Sequence, residues 1–230
     1  MSDHIVRSFD EELGQITAEV ARMGGLTEAQ IGEALDCVLR RDVKLAEAVA
    51  ARDTQLDAME AEIEKKAIRV IALRQPMAND LRHAVAAMKI ASNLERCGDL
   101  AKNIAKRSLV LAGMDAATPL SRSIDRLGRL VAARLKDVLD AYTSGDVGRA
   151  VAVWKRDDEI DSHYDSLFRE LLALMSNSPD SVAAGAHLLF VAKNLERIGD
   201  HATNIAEIIH YELTGETLGA ERPKMDAITP

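Results

Sequence analysis

Hydrophobic positions recur at helical spacing along nearly the whole chain. Leu13, Ile16, Val20, Ile31, Leu35 and Val38 mark a first helix over about residues 5–40, which Gly24 and Gly25 are expected to bend or loosen. Leu45, Val49, Leu56, Met59, Ile63 and Val70 mark a second helix that begins near Asp42 and stops at Arg74-Gln75-Pro76. Proline disfavours helix in the residue before it and can open a new helix at its first turn. A third helix then runs from Pro76 to about Leu111, and the stretch from Ala112 and Gly113 to Pro119 reads as a linker. The second half repeats the plan, with helices over about 120–143, Asp146 to Ser176 and Pro179 to Leu213. The expected fold is all-α: two pseudo-symmetric three-helix bundles, residues 1–113 and 114–216, with a poorly ordered tail at 217–230.

Composition supports helices. Hydrophobic residues make up 47% of the 230, enough for a packed core, whereas aromatics are only 3%, so the chain is poor in a residue class that strands favour. With 37 acidic against 29 basic residues the net charge is −8, which argues against nucleic acid, whose phosphates demand a basic face. The same balance suits cations, or basic surfaces on protein partners. Cys37 and Cys97 are too few for a disulfide framework or a thiolate zinc site, and both fall within helical patterns, as buried thiols do. The first residues do not read as a signal peptide, and no apolar run approaches the ~20 residues of a membrane span, so a cytoplasmic protein is expected. No glycine-rich phosphate loop is present, and the histidines show no repeated ligand pattern.

The chemistry sits in a repeat. Asn93-Leu94-Glu95-Arg96-Cys97-Gly98-Asp99 returns as Asn194-Leu195-Glu196-Arg197-Ile198-Gly199-Asp200, followed in each copy by an Asn-Ile-Ala, at Asn103 and Asn204. Glu95/Asp99 and Glu196/Asp200 each place two like charges four residues apart on one side of a helix, at a cost of a few tenths of a kcal/mol, about 0.2–0.5, unless a cation intervenes. Further back, Arg52-Asp53-Thr54-Gln55-Leu56-Asp57 matches Arg156-Asp157-Asp158-Glu159-Ile160-Asp161, adding the pairs Asp53/Asp57 and Asp157/Asp161.

Hairpin geometry brings these pairs level. Counted from Gln75 at ~1.5 Å per residue, Asp57 and Glu95 lie roughly 27 and 30 Å from the turn, and Asp53 matches Asp99 in the same way. Counted from Ser178, Asp161 meets Glu196 and Asp157 meets Asp200. Four carboxylates would then converge in each half, the oxygen set that hard multivalent cations take. The competing reading is an ordinary solvated face, with Arg96, Arg197, Arg52 and Arg156 neutralising the acids. Gly98 and Gly199, inside helices and beside the acids in both copies, point to a close approach by a helix or a ligand.

The twin Leu-Glu-Arg-x-Gly-Asp motifs resemble those of the PhoU family of phosphate-specific transport accessory proteins. So do the stretch from Gln75 and Pro76 through Asn79 and Asp80 to Arg82, the segment from His201 to Glu207, and Tyr211 to Glu216. The resemblance implies two pseudo-symmetric three-helix bundles, a homodimer, and Glu/Asp-x-x-x-Asp motifs able to hold multinuclear iron or zinc clusters. Carried onto this chain, the metal-binding residues are Asp53, Asp57, Glu95, Asp99, Asp157, Asp161, Glu196 and Asp200. Cys97 is a further soft-ligand or oxidation candidate, and His201 a candidate neighbour of the second cluster.

By the same resemblance the function is regulation, not catalysis: repression of the phosphate-starvation regulon when phosphate is plentiful. The implied partners are the membrane sensor histidine kinase and the ATPase subunit of the phosphate ABC transporter. Two alternatives stay open. A carboxylate-bridged di-iron enzyme would need paired Glu-x-x-His motifs, of which only Glu207 to His210 fits. A metal-free helical scaffold would need neither metal nor turnover.

Overall fold

The structure is a computed structural model that describes residues 2–114 and 120–219, without the side chains of residues 2–8 and of Asp53. The described residues form eight α-helices and one short 3-10 turn, with no strand. In the first half these are α1 (Ser2–Arg40), α2 (Val43–Ala51), α3 (Asp53–Arg74) and α4 (Asn79–Ala112). The second half contributes α5 (Ser121–Ser144), α6 (Val147–Trp154), α7 (Asp157–Asn177) and α8 (Val182–Thr214), the last preceded by the 3-10 turn Pro179–Ser181. The expected linker from 115 to 119 and the tail from 220 onward lie outside the described residues, while 216–219 carry no helix.

Two expected helices are each broken in two. The breaks, at Arg52 and at Lys155-Arg156, occupy equivalent places in the repeats. They leave little trace in the sequence because no glycine or proline marks them: Arg52 stays close to helical angles at φ −81, ψ −8, and Arg156 leaves them at φ −107, ψ 21. Their consequence is positional. Asp53 and Asp157 become the first residues of α3 and α7, where the partial positive charge of a helix N-terminus favours carboxylates. Both short helices that precede them start from the same cap, Asp42 accepting from the Leu45 amide and Asp146 from the Arg149 amide, each at 3.0 Å.

Other boundaries move for backbone reasons. Helix α4 starts at Asn79 and not at Pro76, because Gln75 and Ala78 both take positive φ (50° and 48°) and turn the chain between them. Helix α1 runs without interruption through Gly24 and Gly25. Gly24 is a packing hole and not a hinge: a Cβ there would stand 2.5 Å from a methyl of Leu139 on α5. In the reciprocal contact a Cβ on Gly128 of α5 would stand 2.6 Å from a methyl of Leu35 on α1. The two contacts swap equivalent residues between the halves, the signature of a pseudo-twofold axis.

Helices α4 and α8 form the central pair. The contacts Arg82–Glu212, Asn93–His201 and Arg107–His187 step along α4 as they step, in reverse, along α8, so the two are antiparallel in constant register. The twin motifs therefore lie beside each other, next to the axis. A single apolar core runs through both halves, from Val20, Ile90 and Leu94 to Leu135, Leu195 and Ile205, all buried. The residues of the Gln75–Arg82 motif tie the end of this pair: Arg82 donates through Nε to the Glu212 carbonyl (3.2 Å) and through Nη2 to Asn79 Oδ1 (2.5 Å).

Candidate functional site

Close helix approach sets the height of the acids. A Cβ on Gly98 would stand 2.2 Å from Leu56 Cδ1, and one on Gly199 would stand 2.7 Å from Ile160 Cδ1. Leu56 and Ile160 occupy matching places in α3 and α7, so each glycine lets the neighbouring helix seat a core side chain against the motif. The close approach expected at these glycines is made by a helix.

In the first half, Glu95 is not on a solvated face: its side chain is 13% exposed, and that of Asp99 31%. Burial pushes the Glu95 carboxyl above its ordinary value, Asp99 adds to the rise, and Arg96 opposes it; Glu60 and Asp57 on α3 also contribute. Lys102 Nζ stands 2.6 Å from Asp99 Oδ1, and Arg96 lies 3.4 Å from Glu95 and 3.6 Å from Asp99. Asp57 is exposed, and the side chain of Asp53 lies outside the described residues.

In the second half the convergence is tighter. Asp157 is 5% exposed and accepts a hydrogen bond from the Thr203 hydroxyl at 2.7 Å. Burial raises Asp161, and the charges of Asp157, Asp200 and Asp165 raise it further. Glu196, 12% exposed, is raised mainly by burial and by Asp200, against the pull of Lys193, whose Nζ stands 2.7 Å from Oε1. Its other oxygen, Oε2, is buried without a partner.

Neutralisation differs from the expected scheme. Arg52 pairs with Glu33 at 2.6 Å and Arg156 with Glu159 at 3.2 Å, outside the motif acids. Arg96 does meet Glu95 and Asp99, as expected; the further charges that answer the motifs are Lys102 and Lys193, which sequence reasoning passed over although they stand three residues from Asp99 and from Glu196. Cys97 is wholly buried and desolvation pushes its thiol far up, so it packs in the core and offers no reactive thiolate. His201 turns away from the second cluster: its Nδ1 donates to Asn93 Oδ1 on α4 at 2.9 Å. Burial, with Arg197 and Arg96 nearby, lowers its affinity for a proton. Of the Glu-x-x-His pair, Glu207 accepts from the Trp154 indole at 3.0 Å, and His210 Nδ1 bonds the Glu216 carbonyl at 2.9 Å.

The donor chemistry suits a hard cation: several carboxylates within electrostatic reach, three of them mostly buried (Glu95, Glu196 and Asp157), and an orphaned Glu196 oxygen. Among the described residues, no three His, Cys, Asp or Glu side chains are grouped to ligate one ion. In this arrangement the ammonium groups of Lys102 and Lys193 stand against Asp99 and Glu196.

No helix among the described residues is long and apolar enough to cross a membrane. The PhoU domain model matches the chain twice, over residues 20–108 and 124–209. A relative from Caulobacter vibrioides, named phosphate-specific transport system accessory protein PhoU homolog, is 60% identical over 229 residues, covering 100% of both chains. One of the same name from Rhizobium meliloti is 48% identical over 223 residues, covering 97% of this chain and 94% of its own. The crystal structure of PhoU from Pseudomonas aeruginosa superposes with a TM-score of 0.87 at 33% identity, covering 90% of this chain and all of that one. The PhoU structure from Streptococcus pneumoniae gives 0.86 at 30% identity, covering 92% of this chain. The tandem domain matches, the full-length relatives and the shared all-α fold agree: this chain belongs to the PhoU family.

Proposed function

We propose that this chain is a cytoplasmic regulator of phosphate uptake that represses the phosphate regulon when phosphate is plentiful. It does so by linking the ATPase subunit of the phosphate ABC transporter to the phosphate sensor histidine kinase, acting as a homodimer and not as an enzyme. The observation that carries this reading is likeness over the whole chain to accessory proteins of phosphate-specific transport. The burial of Glu95 and Glu196 adds a physical reason: carboxylates held back from solvent beside other acids are costly unless a cation or a basic partner surface answers them.

Asp57, Glu95 and Asp99 in one half, and Asp157, Asp161, Glu196 and Asp200 in the other, would hold iron or zinc clusters, with Asp53 as the fourth acid of the first set. A bound multivalent cation would supply the positive charge that Lys102 and Lys193 supply here, freeing both ammonium groups. The protein's own part is to hold the acids level through Gly98 and Gly199 and to present them on a rigid scaffold. The test is Glu95→Ala combined with Glu196→Ala in untagged protein. Elemental analysis should show lost iron or zinc, pull-downs should show weakened capture of kinase or ATPase, and a phosphate-regulon reporter should rise in phosphate-rich medium. If all three stay at wild-type levels, the reading is wrong.

A further inference from the structure

A cavity of about 390 Å³ opens where the stretch of α1 from Asp10 to Thr17 and the first turns of α4 meet the last turn of α8, roughly 22 Å along α4 from Glu95. Asp10, Leu13, Gly14 and Thr17 of α1, Asn79, Asp80 and His83 of α4, and Glu212 and Leu213 of α8 line it. Three of these are carboxylates, against one imidazole. Glu212 is only 8% exposed; its Oε1 bonds His83 Nδ1 at 2.5 Å, and its Oε2 has no partner. Asp10 and Asp80 are exposed at the mouth and form no ion pair among the described residues. The nearby cation Arg82 is turned to the Glu212 carbonyl and Asn79, and it lines a neighbouring cavity of about 410 Å³ instead. The C-terminal end of α8 and the N-terminal turn of α4 bring opposite partial charges to the same place, so the carboxylates set its sign.

The rim is apolar. Leu213 lines the cavity, and Met77 and Leu81, which flank Asn79 and Asp80 in the chain, are exposed, Met77 at 81%. Met77 sits between Gln75 and Ala78, whose positive φ values hold the turn in a conformation that non-glycine residues rarely adopt. Leucine and methionine held outward beside a negatively charged hollow form a surface for a segment both apolar and basic. We propose that this cavity is a docking socket for an arginine side chain carried on an apolar segment of a partner protein. A guanidinium presents five donors in a fixed fork, which suits carboxylates arriving from three helices better than a single ammonium does. This surface is separate from the acidic motifs and adds a second contact for a partner.

The test uses the full chain and an acetylated, amidated Leu-Leu-Arg-Leu-Leu peptide, its citrulline counterpart, and magnesium chloride alone. Binding is followed by the His83 imidazole resonances and by calorimetry. The arginine peptide should bind and shift His83, and the citrulline peptide should bind at least about tenfold more weakly. The double variant Asp10→Asn, Asp80→Asn, at exposed positions, should lose a similar factor with an unchanged melting temperature. Equal binding of the citrulline peptide, no shift at His83, a double variant that binds normally, or a response to magnesium alone would each overturn the proposal.

Discussion

Leu56 of α3 lies over Gly98 of α4 so closely that a Cβ on the glycine would stand 2.2 Å from its Cδ1. Ile160 and Gly199 repeat the relationship at 2.7 Å in the second half. A helix-breaking residue is kept inside each motif because only its missing side chain lets the acid-bearing helices come together.

Gly98→Ala should therefore destabilise the fold. Overpacking costs about 1–3 kcal/mol, partly offset by about 1 kcal/mol of helix propensity. The loss should be larger at Gly98 than at Gly199, and Leu56→Ala should cost less in the Gly98→Ala background than alone. Urea unfolding of the four proteins measures the coupling; simple additivity would mean that the contact is not the cause.

Gln30 predicts the opposite sign. It is 1% exposed, with neither amide atom hydrogen-bonded, while Arg134 at the equivalent place in the second half pairs with Glu159 at 2.6 Å. Gln30→Met, similar in shape and without the polar atoms, should stabilise the protein by about 1–2 kcal/mol in a thermal melt. A lower melting temperature would show that the amide has a partner after all.

Glu95 makes stability depend on pH. Burial and then Asp99 raise its carboxyl above the ordinary 4.5, so the folded protein holds that proton more tightly than the unfolded chain does. This contribution to stability is fully present below 4.5 and is lost as pH rises through the folded value. In metal-free protein at pH 7, Glu95→Gln should raise the melting temperature by about 2–4 °C, as roughly 1 kcal/mol would. The gain should vanish as the pH is brought down through this window.

His83 behaves in the same sense, at higher pH. Its hydrogen bond from Nδ1 to Glu212 raises its affinity for a proton above the usual 6.5, against desolvation, while Nε2 meets the Thr17 hydroxyl at 2.8 Å. The Thr17 hydroxyl also points to the Leu13 carbonyl at 3.2 Å, so with that bond made both ring nitrogens donate, as in imidazolium. The contribution is fully present below 6.5 and lost as pH rises through the folded value. His83→Gln should cost about 1–3 kcal/mol at pH 6 and much less at pH 9 in denaturant titrations.

The helical periodicity, the duplication and the acid pairs four residues apart were legible in one dimension. Leucine, isoleucine and valine at helical spacing need no partner to be recognised, and Glu95 finds its copy in Glu196 by comparison alone. The breaks before Asp53 and Asp157 were not legible, because arginine, at Arg52 and Arg156, is an ordinary helix former and no glycine or proline stands at either break. Lys102 and Lys193 were visible as residues but not as counter-ions, since charges three apart pair only if neither finds a better partner on another helix.

By itself, the sequence determined that this protein is a duplicated helical bundle with acids paired four residues apart in each repeat. Those properties follow from local spacing, which each helix carries within its own segment. Only the tertiary structure decided that Gly24 receives Leu139 and does not act as a hinge, that His201 faces Asn93, and that Glu212 closes a cavity with His83. Each of these is a contact between residues far apart in the chain. Such contacts depend on the register of packed helices, which no single helix specifies.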